Sequence, residues 1–460
     1  MKPPLRVLAL LAAAALAPGA HALDLVQAWA AAQQHAPDAA AALAARAAGS
    51  ARGEQAQTLW RPSVVLEGGV SYAASETAAR GAQFSAPGFG QTNGVNFDTS
   101  VTGGTGTRYA LALRQPVYSR ERSARSEALE TSARAAEFEW TQARQALMLS
   151  TTEAYFGAAL AAERLRLLQR QQQAVDQAAT EARDRFRIGD RPVTDVHEAG
   201  ARAAALQAER LAAQTQLQLQ RNALADVTGL ALNDEPLALP GERLLEGVGT
   251  LDDWLDRAAR RNPGLMMAEA HVHVARAQAR ATSAALSPTL DVVAQLGYDR
   301  ISGDGDFGRA SHTGRNGAIG VQLSVPLYTG GTRSAVHAED RALADKAQAE
   351  LERARQRVAQ QTRAAWLDLA VGASQTGALA AALEATRARL DATRVGLKAG
   401  DRTTLDLLNA ENDATAAELA LTEARVRLVT RHLQLAALAG ELDDIALQRA
   451  NARLQAPQRP

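Results

Sequence analysis

The sequence predicts a mainly α chain with a small β part, built as two copies of one unit. Three observations predict it. Aromatic residues make up only 4% of the 460 residues, while alanine, leucine, arginine, glutamate and glutamine fill long stretches, a make-up that suits long helices and coiled coils rather than a bulky core. Helical sequence runs for about 65 residues twice, from near Arg122 to Phe186 and from near Arg333 to Leu397. At 1.5 Å per residue each such helix would reach roughly 100 Å, longer than any compact domain needs. Finally, the chain repeats itself, and a missed repeat misassigns a whole fold.

The repeat is read from three matched segments in the same order. Trp60-Arg61-Pro62-Ser63-Val64-Val65 through Tyr72 matches Leu286-Ser287-Pro288-Thr289-Leu290 through Tyr298, about 226 residues on. Gln115-Pro116-Val117-Tyr118 matches Val325-Pro326-Leu327-Tyr328, and Ile188-Gly189-Asp190-Arg191-Pro192-Val193-Thr194-Asp195 matches Ala399-Gly400-Asp401-Arg402-Thr403-Thr404-Leu405-Asp406, both at about 211. Each unit therefore reads helix, strand, loop, strand, long helix, tight turn, helix.

The expected divisions are residues 23–229 for the first unit, 230–250 for a Pro- and Gly-containing linker, 251–440 for the second unit and 441–460 for a tail. The opening helices are expected over 24–59 and 251–286. Strands are expected near 63–72, 108–117, 289–299 and 317–326, where alternating β-formers are bounded by proline and glycine. Residues 73–107, rich in Gly, Ser, Thr and Asn, read as an exposed loop. Apolar residues recur at seven-residue steps, as Leu160, Leu167 and Ala174, Leu383, Leu390 and Leu397, and Leu421, Leu428 and Leu435, the spacing of coiled-coil packing. The Arg- and Gln-rich tail is expected to be disordered or packed on the outside.

Residues 1–22 open with Lys2 and Arg6, continue with an apolar run from Val7 to Ala17 and end in Ala20-His21-Ala22. This is the pattern of a cleaved secretory signal. Without Lys2 and Arg6 the chain carries 48 basic against 50 acidic residues and no long basic block, so nucleic acid is not expected as a partner. Cysteine is absent, which excludes disulfides, thiolate metal sites, a cysteine nucleophile and a lipid anchor on an N-terminal cysteine. No stretch after residue 22 approaches the roughly 18 uninterrupted apolar residues of a membrane helix, so only a closed β-barrel could make the chain integral to a membrane. Four strands in one open sheet would leave two raw edges. If several chains each gave four strands to one barrel the edges would vanish, and three chains would supply twelve strands.

The doubled unit, the turn Gly400-Asp401-Arg402-Thr403-Thr404-Leu405-Asp406 and the segment Val325-Pro326-Leu327-Tyr328-Thr329-Gly330-Gly331 resemble the TolC family over nearly the whole mature chain. The resemblance implies a homotrimer with a twelve-stranded transmembrane β-barrel in outer-membrane lipid, continued by a long periplasmic α-helical barrel. It further implies an exit duct for efflux or type I secretion, docked to a periplasmic adaptor and an inner-membrane transporter, with no cofactor.

In that family the periplasmic entrance is closed at such turns by an ionic network and lined by an acidic ring. Arg402 matches the arginine of the network, and Asp195 and Thr194 match its partners on the neighbouring hairpin. Asp406 matches the first ring position, and Asn409 stands at the second, where the best-known members carry aspartate. Three residues apart, both face one side of a helix, but with Asn409 neutral the ring carries half the charge expected, and Leu397 replaces a family tyrosine. Read from the residues alone, Thr403-Thr404-Leu405-Asp406 fits a capping box, which would let Asp406 merely satisfy a helix start. One aspartate can serve both roles.

The remaining motifs carry less. Gly303-Asp304-Gly305-Asp306-Phe307-Gly308 fits G-x-G-x-x-G, but between two strands with no helix following it is a turn rather than a dinucleotide site. Asp304 and Asp306 read as solvated turn residues. His271 and His273, two apart on a helix, diverge and are expected at the surface. No nucleophile elbow, P-loop or metal-spaced carboxylate set points to an enzyme. The rival reading is a non-channel periplasmic coiled-coil protein, structural or adaptor, which explains the signal and the helices but not the two matched strand hairpins.

Overall fold

The computed structural model describes residues 23–455 apart from 89, 191, 232–234, 243–247, 307 and 329. The signal expected over 1–22 lies outside the described residues. The fold is mainly helical with a small β part, and its element order runs twice through helix, helix, strand, strand, long helix, helix.

The opening helix of each half is two helices, not one: α1 (Leu25–His35) and α2 (Pro37–Thr58), then α5 (Leu251–Arg261) and α6 (Pro263–Ala284). The cause is a proline at the same place in both halves. A residue before proline is driven out of the α region, and Ala36 (φ −63°, ψ 124°) and Asn262 (φ −61°, ψ 121°) are extended accordingly. Side chains begin both short helices. Asp24 and Gln27 form a reciprocal capping box on α1, and Thr250 accepts from the Asp253 amide at 3.2 Å on α5.

Two hairpins come after these helices. The first is β1 (Ser63–Ala86) with β2 (Gly90–Tyr118), the second β4 (Thr289–Gly305) with β5 (Gly308–Ser324). Residues 73–107, expected as a loop, are instead strand on both sides of a short turn, paired from Ser75↔Val101 out to Ala86↔Gly90 with bulges on the way. The glycines that suggested a loop serve close approach. A Cβ on Gly104 would sit 2.4 Å from the Ser302 carbonyl oxygen of β4, and one on Gly303 would sit 2.1 Å from that of Gly103. The longer first hairpin also accounts for the fall in repeat offset from about 226 to about 211.

The long helices α3 (Arg120–Arg187) and α7 (Thr332–Ala399) are 68 residues each, and each turns back into α4 (Val193–Thr228) or α8 (Thr404–Leu438). No described helix is long and apolar enough to cross a membrane.

The chain divides into two compact units. One comprises Ala47–Ala136 and Ala268–Leu351 and holds the antiparallel sheet, in the order β1-β2-β4-β5. Among the described residues β1 and β5 are each paired on one side only. Period-two alternation gives the sheet two unlike faces. Register aligns Leu66, Leu111 and Leu296 across one face, and Tyr109 with Tyr298 in the next row. Leu66 is 72% exposed and Ile319 82%. The other face carries Glu67, Arg108, Asp299 and Gln295, together with an ion pair in which Arg114 Nη2 donates to Asp291 Oδ2 at 2.5 Å.

The other unit comprises the described residues of Met1–Arg46, Glu137–Met267 and Glu352–Pro460. Its largest core joins Trp29, Tyr155, Phe156, Leu369, Leu433 and Leu435, with Tyr155 and Phe156 edge to face at 5.3 Å. A second, thinner core runs between α3 and α4: Leu168, Val175 and Ala182 against Ala199, Leu206 and Ala213, with Leu408 of α8 packed on it. Both sets step by seven, so the hairpin is zipped in antiparallel register, one residue out of phase with the Leu160, Leu167, Ala174 series expected from sequence.

The residues after Gly440 form part of this unit rather than a free or peripheral tail. Asp443 caps α9 (Asp444–Asn451), whose Leu447 is 1% exposed in the main core. Trp29 Nε1 donates to Asp444 Oδ1 at 2.9 Å, and Asn451 Oδ1 accepts from the Leu25 amide at 3.0 Å. Beyond α9, β6 (Leu454–Gln455) pairs with β3 (Leu239–Pro240) from the linker, and Leu23 bridges Leu237 in parallel. Tyr155, fully buried, knots these ends: its hydroxyl accepts from the Ala238 amide at 2.9 Å and faces the Leu23 carbonyl at 2.8 Å as donor. Burial holds this phenol above its usual range, so it remains a donor. Tyr155→Phe should therefore leave the Ala238 amide unpaired and lower stability by about 1–3 kcal/mol. Chemical denaturation in detergent should show the transition at lower denaturant with an unchanged slope.

Candidate functional site

The two helix-hairpin turns have the same backbone design. At the first, Gly189 adopts φ 80° and the Asp190 amide donates back to the Arg185 carbonyl at 2.9 Å; at the second, Gly400 adopts φ 86° and the Asp401 amide donates to the Gly396 carbonyl at 2.9 Å. Both are Schellman-type endings, which need a left-handed residue that glycine supplies without strain. The sequence match across 211 residues thus marks one turn built twice.

The helix starts beyond the two glycines differ. Thr403 is the N-cap of α8 and Asp406 its third residue. The Thr403 amide and hydroxyl each donate to Asp406 Oδ2 at 2.9 Å, and the Asp406 amide donates to Thr403 Oγ1 at 3.1 Å. These bonds to the charged form, the Thr403 amide first, hold the Asp406 carboxyl below the usual carboxylate range, with a smaller contribution from the Arg402 charge. At the matching turn the N-cap is Pro192, which has no hydroxyl and makes no side-chain cap. Among the described residues, no side-chain capping bond ties the carboxylate of Asp195, the counterpart of Asp406, to its own turn.

Asp406 and Asp195 are half-buried, and Thr194, Arg402 and Asn409 are exposed. The stem of Arg402 lies over the end of α7, its Cγ 2.7 Å from where a Cβ on Gly396 would stand. Among the described residues no hydrogen bond or ion pair within one chain joins Arg402 to Asp195 or Thr194. Asp406 and Asn409 sit one turn apart on α8. The capping reading of Asp406 holds, and the aspartate keeps its charge while capping.

The other sequence motifs settle as structural features. Gly303 to Gly305 end β4 and Gly308 opens β5 with no helix following. Asp306 Oδ2 accepts from the Ser100 hydroxyl at 2.8 Å. His271 and His273 lie exposed on α6. Sequence reading missed a polar layer further along α8, where Glu411 accepts from Arg394 of α7 at 2.9 Å. Its signal is a shared spacing: Arg387 and Arg394 step by seven on α7, as Glu411 and Glu418 do on α8.

Comparison with known proteins decides what these parts belong to. The model of the family "Outer membrane efflux protein" matches residues 29–230 and 254–441. The chain belongs to the outer membrane efflux protein family. Among its relatives, outer membrane protein TolC of Vibrio cholerae is 27% identical over 350 residues, 75% of this chain and 79% of that one. Alkaline protease secretion protein AprF of Pseudomonas aeruginosa is 27% identical over 353 residues, 76% and 73% of the two chains. The fold matches that of the outer membrane protein VceC from Vibrio cholerae with a TM-score of 0.69 at 20% identity, covering 90% of this chain and 96% of that one. It also matches the MtrE outer membrane channel of Neisseria gonorrhoeae at 0.67, again at 20% identity, covering 92% and 90%.

The protein is accordingly an outer-membrane channel protein of the efflux and secretion type with a periplasmic helical part, and not an enzyme. The non-channel coiled-coil reading falls with that match.

The capping box generates a pH expectation. A carboxyl whose folded pKa is depressed stabilises the fold above its unfolded value and loses that contribution as pH falls through the folded one. Thr403→Ala removes the hydroxyl bond, so Asp406 should titrate at higher pH than in the parent chain. Carbon-13 NMR of aspartate-labelled protein, with Asp406→Asn to assign the signal, reads this shift; an unmoved midpoint would show that the Thr403 hydroxyl does not hold the carboxylate.

Proposed function

We propose that three copies of the chain close their sheets into one twelve-stranded transmembrane β-barrel, continued in the periplasm by an α-helical barrel. The assembly is the exit duct of a tripartite efflux or type I secretion system. It receives substrates from an inner-membrane transporter through a periplasmic adaptor, and residues 1–22 direct its export.

The observation that carries this reading is the sheet. Among the described residues its outer strands are each paired on one side only, and one face is apolar while the other is polar. In lipid every backbone group must find an internal partner, so such a sheet has to close. Four strands from one chain are half the eight of the smallest bacterial barrels, whereas three chains reach twelve. The face bearing Leu66, Leu111 and Leu296 then meets lipid, and the face bearing Glu67, Arg108 and Asp299 lines the passage.

At the periplasmic end the turns form a closable entrance. Threefold symmetry gathers three Asp406 carboxylates, ionised through their bonds to Thr403, into a ring that attracts cations, and the neutral Asn409 adds no charge one turn further on. Arg402 is the cation of the latch. Asp195, which Pro192 gives no side-chain cap, and Thr194 are its partners on a neighbouring hairpin, and an arginine–carboxylate bond there is strong enough to hold yet releasable when an adaptor offers competing contacts.

Light scattering of the detergent-extracted protein, with the detergent mass subtracted, should give three chains per particle; a monomer would overturn the shared barrel. In planar bilayers the joint replacement Asp406→Ala and Arg402→Ala should raise single-channel conductance several-fold and reduce cation preference. Unchanged conductance and selectivity would remove these residues from the entrance.

A further inference from the structure

We infer that Glu418 is a positioning residue of the entrance: one carboxylate on α8 clasps the second hairpin (α7, α8) to the first (α3, α4), and its release is part of opening. This rests on the reading of the hairpin turns as a closable entrance.

The Glu418 side chain is 19% exposed and meets three guanidinium groups. Arg170 of α3 donates from Nη2 to Oε2 at 2.9 Å. Arg387 of α7 brings its Nη2 to the same oxygen at 3.2 Å. Arg166 of α3 stands 3.5 Å from Oε1 while also held by Glu163 on its own helix. The neighbouring acids on α8 behave differently. Glu411 accepts from Arg394 and Asp413 from Arg389, both on α7, so these bonds stay inside one hairpin. Six residues nearer the turn the link between hairpins recurs on a neutral acceptor: Asn412 Oδ1 accepts from Gln171 of α3 at 3.3 Å and from Arg202 of α4 at 2.5 Å.

The magnitudes single out the carboxylate. Arg170 and Arg387 are each more than half exposed, so either pair alone would contribute little. But both cations bind one oxygen, which places their nitrogens within about 6 Å of each other, inside the Debye length of about 8 Å at physiological salt. While Glu418 is charged it screens the two from each other and joins them. Once it is neutral, a cation on α3 faces a cation on α7 with nothing between, and the hairpins repel where they were held. Moving α8 away from α3 has the same consequence, so the contact favours one of two arrangements rather than resisting gradually.

Conductance of the full-length protein in planar bilayers tests this. Glu418→Gln should raise conductance at least twofold at 0.15 M salt, with less of a gain at 1 M salt, where the exposed repulsion is screened. Asp413→Asn, which breaks an ion pair inside the second hairpin only, should conduct as the parent does. If Glu418→Gln does not yield assembled particles, Arg170→Gln removes the same bond from the α3 side and should also raise conductance. Parent-like conductance of the Glu418 variant (or of its Arg170 substitute), with Arg402→Ala conducting more, would overturn the clasp and leave the entrance reading intact. The reverse pattern would keep the clasp and move the entrance away from the turns. An equal rise in Asp413→Asn would also overturn the clasp, because any lost ion pair would then suffice.

Discussion

The helical unit depends on a thin seam. Between α3 and α4 the contact residues are mostly alanine, with Leu168, Val175 and Leu206 among them. Small side chains let helix axes approach closely, and the seven-residue step on both strands of the hairpin fixes a single register. That register decides where the chain runs out of helix at Gly189, and the equivalent length of α7 decides where Gly400 falls. The turn chemistry, the placement of Arg402 and the polar layer on α8 all inherit their positions from this packing. A seam so poor in large apolar groups contributes little burial per residue, which is why charged and amide side chains are recruited to join one hairpin to the next.

The sheet imposes the complementary constraint. Among the described residues its outer strands are each paired on one side only, so the element proposed to enter lipid is the one that cannot be completed alone. The helical unit, by contrast, closes its own core around Tyr155 and Leu435. A closed core and an open sheet are thus divided between the two units of one chain.

Much of this was legible in the sequence because it was written twice. Matching segments placed the turns and the strand starts, and Thr403 with Asp406 announced a capping box that the structure contains. Other features were not legible, for identifiable reasons. Pro37 and Pro263 are equivalent, but the helical pattern runs on at both sides, so the breaks they cause were hidden. Glycine-rich residues 73–107 carry turn-like composition, and only the partner strand reveals that Gly104 is small because β4 passes close by. The tail lacks periodicity, and Leu447 declares itself only once α9 meets the core. Glu418 and Arg170 lie 248 residues apart; spacing along α8 could mark Glu418 as recurring but could not say which helix would answer it.

The knot around Tyr155 has a consequence for how the molecule comes into being. It joins Leu23 to the middle of the chain at Ala238, while Asn451 reaches back to Leu25 across 426 positions. Contacts of such long range are the last to be rewarded during folding, since the intervening chain must be ordered first. The core of the helical unit is therefore complete only when residues from both ends of the described chain are in place. A chain cut short before Asn451 would lack the bond that fastens Leu25.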